Sequence, residues 1–226
     1  MNDDKNFLGF GDSAFQFLAD IEQNNNREWF AENKHIYQAE LELPAKNLLE
    51  NLKSSLIILT DREMDGKIFR FYRDVRFSKD KSPYKTNVRM LLYPAGRTQQ
   101  NSGDIPIFYF SIEADIVRVG VGVMQFDKPT LDKFRKAMVD EELSADFLTI
   151  VNGLFKQGFT VNDPSLKRVP SGYDKDHKNA QWLKRKGMAV WLEMDVEVLK
   201  SKDAVGNMLN TCSQCQELYD WLKRLS

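Results

Sequence analysis

Residues 67–77 read Lys-Ile-Phe-Arg-Phe-Tyr-Arg-Asp-Val-Arg-Phe. Over this stretch, apolar side chains such as Phe69 and Phe71 alternate with polar ones such as Arg70 and Tyr72. A period of two is typical of a strand with two different faces, because successive side chains of a strand point to opposite sides. The stretch follows long segments of helical periodicity, so we expect the sheet of the protein to begin here.

The chain before this stretch has helical spacing. Phe15, Leu18 and Ile21 lie three residues apart and mark one apolar helix face, for which Asp12 and Ser13 are candidate caps.

A second helical segment begins near Arg27 and continues to Leu56. Because proline lacks the backbone N–H that a helix interior uses, we expect a kink or a break at Pro44.

After residue 85 the sequence continues the sheet and then returns to helices. The strand-like segments are residues 86–93, 107–114, 116–124 and 188–194, of which the second and third read as a hairpin. The helical segments are residues 130–139, 144–156 and 205–225, with a short amphipathic stretch at 177–186. The predicted fold class is α+β. We expect one domain over residues 1–226, with a mainly antiparallel sheet covered by N-terminal and C-terminal helices.

The composition is that of an ordinary globular protein, with 226 residues, of which 42% are hydrophobic and 29% are charged. The first residues lack a basic region followed by an apolar run, and no segment approaches the roughly 18 apolar residues of a membrane span. Two cysteines are too few for a disulfide framework. We therefore expect a cytoplasmic protein without a membrane partner.

The sequence offers no motif for a cofactor or a metal. Cys212 and Cys215 have the spacing of a redox motif, but they lie within the apolar pattern of the last helix, which favours core packing. Gly120 and Gly122 lie in a β-rich segment without the following helix of a phosphate-binding loop. The two histidines and two cysteines lack zinc-ligand spacing. We expect no cofactor and no metal.

Positive charge is concentrated in residues 70–85, which we call the basic block. It contains six basic and two acidic residues, a formal charge of +4, whereas the whole chain carries −1. Arginine and lysine donors beside tyrosine and serine hydroxyls suit phosphate or carboxylate oxygens, so we expect an anionic small molecule to bind here. The candidate ligand-binding residues of the basic block are Arg70, Tyr72, Arg73, Arg76, Ser78, Lys79, Lys81, Tyr84 and Lys85.

Catalysis is a narrower hypothesis for the same block. Asp74 is the candidate general base, and Lys79 or Lys81 would stabilise charge. On a strand, Arg73 would lie among the phenylalanines, where it must find a partner or extend to solvent, because an unpaired buried charge is very costly.

Two other segments hold further candidates. Asn26, Arg27, Trp29 and Phe30 could form a second wall of the site, since an asparagine-rich helix start presents free N–H groups to an anion; the alternative is a plain helix start with a buried tryptophan. His177 could act as a proton shuttle, against the alternative of an exposed histidine without a function.

Two other interpretations of the basic block stay open. In one, it belongs to a nucleic-acid or protein interaction module in which Tyr72, Tyr84 and Trp29 stack on bases or side chains. In the other, Asp74 and Asp80 neutralise its cations in a purely structural ion network.

Residues 69–85, Phe-Arg-Phe-Tyr-Arg-Asp-Val-Arg-Phe-Ser-Lys-Asp-Lys-Ser-Pro-Tyr-Lys, resemble the signature of the domain of unknown function 2461 family. Residues 24–30, Asn-Asn-Asn-Arg-Glu-Trp-Phe, resemble its N-terminal segment, and residues 168–173 with Asp176 and His177 resemble a later one. The resemblance covers nearly the whole chain. It implies a single α+β domain and brings no reaction, cofactor or catalytic residue with it.

Overall fold

The computed structural model of the protein describes residues 6–76, 79–97 and 103–226. The strands are β1 (Met64–Ile68), β2 (Val88–Pro94), β3 (Ile107–Ile112), β4 (Ile116–Val123), β5 (Thr160–Val161) and β6 (Met188–Asp195). The α-helices are α1 (Asp12–Gln23), α2 (Arg27–Ile36), α3 (Leu43–Thr60), α4 (Lys128–Val139), α5 (Glu141–Lys156), α6 (Ala180–Leu183), α7 (Ala204–Gln214) and α8 (Gln216–Lys223). A π-helical segment (Tyr37–Glu42) lies between α2 and α3, and a 3-10 helix (Val196–Leu199) precedes α7. The fold class is α+β, as predicted.

The six strands form an antiparallel sheet in the order β1-β2-β3-β4-β6-β5. The register of β1 on β2 places Met64 opposite Pro94. The predicted hairpin is the pair β3 and β4, closed where the Glu113 N–H donates to the Ile116 carbonyl at 2.9 Å. The strand predicted over residues 188–194 is β6.

The chain divides into two compact units. The first unit comprises Met1–Ala95, Tyr109–Val119 and Glu193–Thr211, and the second comprises Gly96–Phe108, Gly120–Leu192 and Cys212–Ser226. The basic block therefore lies in the first unit and His177 in the second. A single domain over the whole chain stays a prediction.

In the first unit, α1 buries the predicted apolar face, but its predicted cap is wrong. The N-cap residue is Gly11, and no side chain caps the helix. Asp12 instead lies in the first turn, where its negative charge interacts favourably with the positive end of the helix dipole.

The irregularity expected at Pro44 takes the form of the π-helical segment just before it. The Leu43 N–H donates to the Gln38 carbonyl, five residues back, and Pro44 lies in the first turn of α3, where its missing N–H costs least. α3 packs closely on β1 at Gly66. A Cβ at this position would come within 2.7 Å of the Leu49 side chain, so the absence of a side chain at Gly66 allows this close approach.

The strand predicted over residues 67–77 is wrong beyond Ile68, where β1 ends. The Phe69 N–H still donates to the Arg89 carbonyl at 2.9 Å. The following residues leave the ladder, and Phe77 lies outside the described residues. The chain is loop here, so the alternation of side chains reflects an aromatic side that packs inward and a charged side that meets solvent.

In the second unit, α4, α5 and α8 pack through aromatic rings. The Phe134 ring lies 5.8 Å from that of Phe147 and 6.2 Å from that of Trp221. On α8, Tyr219 stacks on Phe108 of β3 with ring centroids 5.3 Å apart, so the C-terminal helix packs on the start of this strand.

The closing helix predicted over residues 205–225 is two helices, since α7 ends at Gln214 and α8 begins at Gln216. Cys212 and Cys215 are both buried, which agrees with core packing. Burial raises the pKa of the Cys215 thiol to about 12, so this thiol is protonated at neutral pH.

Candidate functional site

The described residues of the basic block, 70–76 and 79–85, form a loop with an isolated antiparallel bridge between Tyr72 and Tyr84. Backbone hydrogen bonds hold the two sides together on either side of this bridge. The Arg73 N–H donates to the Pro83 carbonyl at 2.8 Å, and the Lys85 N–H donates to the Phe71 carbonyl at 2.9 Å.

The bridge is anchored to the turn before α2 by Asn25. Its Nδ2 donates to the Tyr84 carbonyl at 3.1 Å, and the Tyr84 N–H donates to its Oδ1 at 3.0 Å. One side-chain amide thus satisfies both backbone groups of Tyr84, as a neighbouring strand would. The adjacent Asn26 caps α2, because its Oδ1 accepts from the Trp29 N–H at 2.9 Å.

Aromatic rings form the floor under the bridge. Phe30, which is only 3% exposed, stacks on Tyr84 with ring centroids 4.1 Å apart and on Phe71 at 6.0 Å. Burial, with smaller contributions from the Glu42 and Tyr72 charges, raises the pKa of Tyr37 to about 12. Burial likewise raises the pKa of Tyr84. The floor is therefore neutral at physiological pH.

Arg73 has the partner that its position requires. Its guanidinium lies 2.6 Å from the Asp80 carboxylate and also donates to the Tyr84 carbonyl at 3.4 Å. Asp80 accepts from the Ser82 hydroxyl at 2.7 Å and from the Ser82 N–H at 2.9 Å. These hydrogen bonds, and then the charge of Arg73, hold the pKa of Asp80 below its usual value.

Asp74 and Arg76 form a two-pronged ion pair on the surface. Arg76 Nη2 lies 2.7 Å from Asp74 Oδ2, and Arg76 Nε lies 3.0 Å from Asp74 Oδ1. The hydrogen bonds from Arg76 hold the pKa of Asp74 well below its usual range. A carboxylate with such a low pKa is a weak base at neutral pH, which does not favour catalysis by Asp74. The role of Asp74 as general base stays a prediction.

An open pocket of about 470 Å³ lies beside the bridge. It is lined by Arg27, Tyr72, Arg73, Val75, Lys81, Pro83 and Tyr84. Three of these residues are cations and none is a carboxylate. Tyr72 is 53% exposed, which is unusual for a large aromatic side chain.

Arg27 and Lys81 differ in how they are held. Arg27 is the first residue of α2 and is exposed, and within the described part of the chain its side chain has no hydrogen bond or ion pair. Lys81 donates to the Val75 carbonyl at 2.9 Å.

A second concentration of positive charge, which we call the Phe69 cluster, surrounds the Phe69 ring. Lys67 Nζ, Lys85 Nζ and the Arg89 guanidinium lie 5.3, 5.5 and 5.6 Å from its centroid. Lys85 also donates to the Arg70 carbonyl at 2.7 Å. Burial, and then the neighbouring positive charges, lower the pKa of Lys85 to about 8.

Other predicted residues do not line the pocket and have local contacts. Trp29 packs on Phe17, with ring centroids 5.4 Å apart. His177 Nδ1 accepts from the Asn179 N–H at 3.1 Å, in the turn before α6. Ser78 lies outside the described residues.

Arg70 and Lys79 are exposed, and neither lines the 470 Å³ pocket.

The sequence did not single out Asn25, Lys67 or Arg89. Asn25 is one of three consecutive asparagines, and nothing local distinguishes the one that anchors Tyr84. The place of Arg89 beside Phe69 follows from the register of β1 on β2, which the sequence does not specify.

A family model described as "Conserved hypothetical protein (DUF2461)" matches residues 13–221. The chain belongs to the DUF2461 family. The matched range includes the start of α2 and the basic block, and hence every residue that lines the pocket. A search among curated proteins finds no match to this DUF2461 chain.

No helix among the described residues has the length and apolar character needed to cross a bilayer. In the same residues, no group of three or more histidine, cysteine, aspartate or glutamate side chains is arranged to hold a metal ion.

Proposed function

We propose that this DUF2461 protein binds a small anionic molecule in the pocket beside the Tyr72–Tyr84 bridge. The ligand would be a phosphate ester or a carboxylate that carries a planar or apolar group. The observation that supports this proposal is that Arg27, a cation without an ion pair in the described structure, and Tyr72, a half-exposed aromatic, line the same pocket.

The cations of the pocket suit an oxyanion. Arg27 lies at the N-terminus of α2, where the helix dipole also favours negative charge. Arg73 is oriented by Asp80, and an ordered guanidinium loses less side-chain entropy when it binds. Lys81 uses one of its three donors on Val75, so the other two are available to a ligand.

Tyr72 accounts for the second half of the ligand. The ring offers a flat face for stacking a planar group. The pocket volume of about 470 Å³ lies within the usual range for small-molecule sites.

Calorimetric titration with four probes tests this assignment. Phenyl phosphate has both an anionic group and a planar ring. Inorganic phosphate has the anionic group without the ring, and phenylacetate has the ring with a carboxylate in place of the phosphate. Benzyl alcohol has the ring without a charge. We expect phenyl phosphate to bind more tightly than inorganic phosphate, phenylacetate to bind detectably, and benzyl alcohol not to bind.

A pair of variants places the binding in the pocket. Arg27→Gln should weaken phenyl phosphate binding by roughly tenfold or more with an unchanged Tm, because it removes a charged donor that has no partner in the described structure. Arg76→Gln removes the same charge from the basic block but outside the pocket lining, and should alter affinity by less than about twofold. Equal binding by Arg27→Gln and wild type would contradict the proposal.

The Phe69 cluster favours a second candidate, binding of a single-stranded nucleic acid. Three cations around one aromatic ring suit a phosphodiester backbone with a stacked base. Tyr72 would then receive a second base. Salt dependence separates this candidate from a small ligand.

A further inference from the structure

A small pocket in the second unit contains a buried arginine. The pocket has a volume of about 50 Å³ and is lined by Met124, Val161, Asn162, Asp163, Ser165, Arg185, Gly187 and Ala189. It shares no residue with the pocket beside Tyr72.

Arg185 is held rigidly at this pocket. It is only 6% exposed, and its guanidinium lies 4.8 Å from the centre of the Trp182 ring. The backbone N–H of Arg185 donates to the Trp182 carbonyl at 3.0 Å, just after the end of α6. Beyond it, the Met124 carbonyl packs so closely on Gly187 that a side chain there would clash.

The guanidinium is not neutralised by the protein. One Nη donates to the Asn162 carbonyl, but Nε has no hydrogen-bond partner among the described residues. The described part of the chain also places no carboxylate within 4.0 Å of Arg185. Burial lowers the pKa of Arg185, with Asp163 opposing that shift from a distance. A buried cation with an unused donor is costly unless something else supplies the counter-charge.

Size and surroundings restrict what can supply this charge. A volume of about 50 Å³ corresponds to roughly four water molecules, which admits a carboxylate or phosphate group but no aromatic base. Asn162, Asp163 and Ser165 are exposed, so they form the mouth of the pocket. The remainder of a ligand can extend through this mouth to solvent.

We propose that Arg185 binds a small oxyanion, the carboxylate or phosphate end group of a ligand, through its guanidinium group at the base of this pocket. Ser165 lines the same pocket and offers a hydroxyl donor. Asp163 opposes entry of the anion by charge repulsion and so sets a limit on affinity. This site is independent of the proposed function of the first unit.

The direct test observes the Nε–H group of Arg185 by nitrogen–proton NMR in a chloride-free buffer with a bulky sulfonate anion. Inorganic phosphate and formate are titrated separately at constant ionic strength, which distinguishes a phosphate end group from a carboxylate. A saturable shift of the Arg185 signal with either anion is expected. No shift, or a linear shift shared by all arginine signals, would overturn the proposal. Arg185→Lys assigns the signal, and through-bond correlation in the wild type assigns it if that variant does not fold.

Asp163→Asn supplies a test with the opposite sign. The side chain is exposed, so the fold should persist, and the loss of a nearby negative charge should tighten anion binding by roughly fivefold. Unchanged or weaker binding would contradict the placement of the anion beside Arg185. Arg27→Gln should leave the Arg185 signal and its titration unchanged, so failure of one site does not count against the other.

Discussion

At the scale of single residues, the cations of the basic block and its neighbours differ in what neutralises them. Arg73 and Arg76 each pair with a carboxylate, at 2.6 and 2.7 Å. A structural ion network accounts for these two. It does not account for Arg27, nor for the Phe69 cluster, whose cations approach one another around an aromatic ring. Close like charges without a compensating anion are destabilising, which makes these cations the better candidates for ligand contacts.

Lys85 yields a prediction on pH. Its pKa in the folded protein is about 8, below the ordinary value of 10.5. The folded state therefore loses this proton first, the unfolded state binds more protons between the two values, and stability rises with pH across that window. In Lys85→Arg the charge persists, so this rise should vanish. Between pH 7 and pH 10, the unfolding free energy of wild type should therefore increase relative to that of Lys85→Arg. We expect this increase to be about 1 kcal/mol or less, because solvent screens a half-buried charge.

Urea denaturation of both proteins at unit intervals of pH measures this difference. A difference that stays constant from pH 7 to pH 10 would show that the lysine is not perturbed.

At the scale of elements, the pocket depends on the anchoring of the loop to α2 through Asn25. The Asn25 side chain makes two hydrogen bonds to the Tyr84 backbone, at 3.1 and 3.0 Å. Asn25→Ala should lower the unfolding free energy by about 2 kcal/mol, because it leaves the Tyr84 N–H without its acceptor and removes one of the donors to the Tyr84 carbonyl, which keeps only the longer contacts from Arg73. Binding of phenyl phosphate should weaken as well, since Tyr84 lines the pocket.

Asn24→Ala is the matched control in the same run of asparagines. Its Nδ2 donates to the Asp20 carbonyl at the exposed end of α1, so we expect a loss of less than about 0.5 kcal/mol. Urea denaturation compares the two variants, and equal losses would contradict an anchoring role for Asn25.

Elements whose signal is local were predictable from the sequence. The hairpin of β3 and β4 follows from two runs of strand-forming residues separated by Asp115, and β6 follows from another such run. Residues 67–77 show the alternation of a strand, yet the ladder ends at Ile68 because pairing depends on a partner elsewhere in the chain. The break between α7 and α8 was missed because the apolar spacing continues through Cys215, so the sequence shows no interruption there.

In the candidate site, too, the features with a local sequence signal were predictable and those that depend on distant residues were not. The basic block was visible because its charges and aromatics are consecutive in sequence. Its anchor was not, because Asn25 and Tyr84 are 59 residues apart, and hydrogen bonds over such a separation leave no local pattern. The sequence indicated that Arg73 needs a partner and offered Asp74 and Asp80 as neutralising carboxylates, but only the structure shows that Arg73 pairs with Asp80.

At the scale of the whole molecule, charge distribution separates a small ligand from a nucleic acid. The chain carries −1 overall and the basic block +4, so the remaining residues carry −5. Such a molecule lacks a long-range field that would attract a polyanion, and its positive potential is local.

Salt dependence is therefore expected to be shallow for the ligand that fits the pocket. Contact of a single strand with four phosphates would give a slope of about −3 in log affinity against log salt concentration, whereas one phosphate ester should give a slope of about −1. Titrations of phenyl phosphate by calorimetry and of a short fluorescent oligothymidine by anisotropy, each between low and physiological salt, measure both slopes. Arg89→Gln is the discriminating variant, because Arg89 belongs to the Phe69 cluster and does not line the pocket. We expect it to leave phenyl phosphate binding intact; tight oligothymidine binding with a steep slope that Arg89→Gln reduces would instead favour the nucleic-acid function.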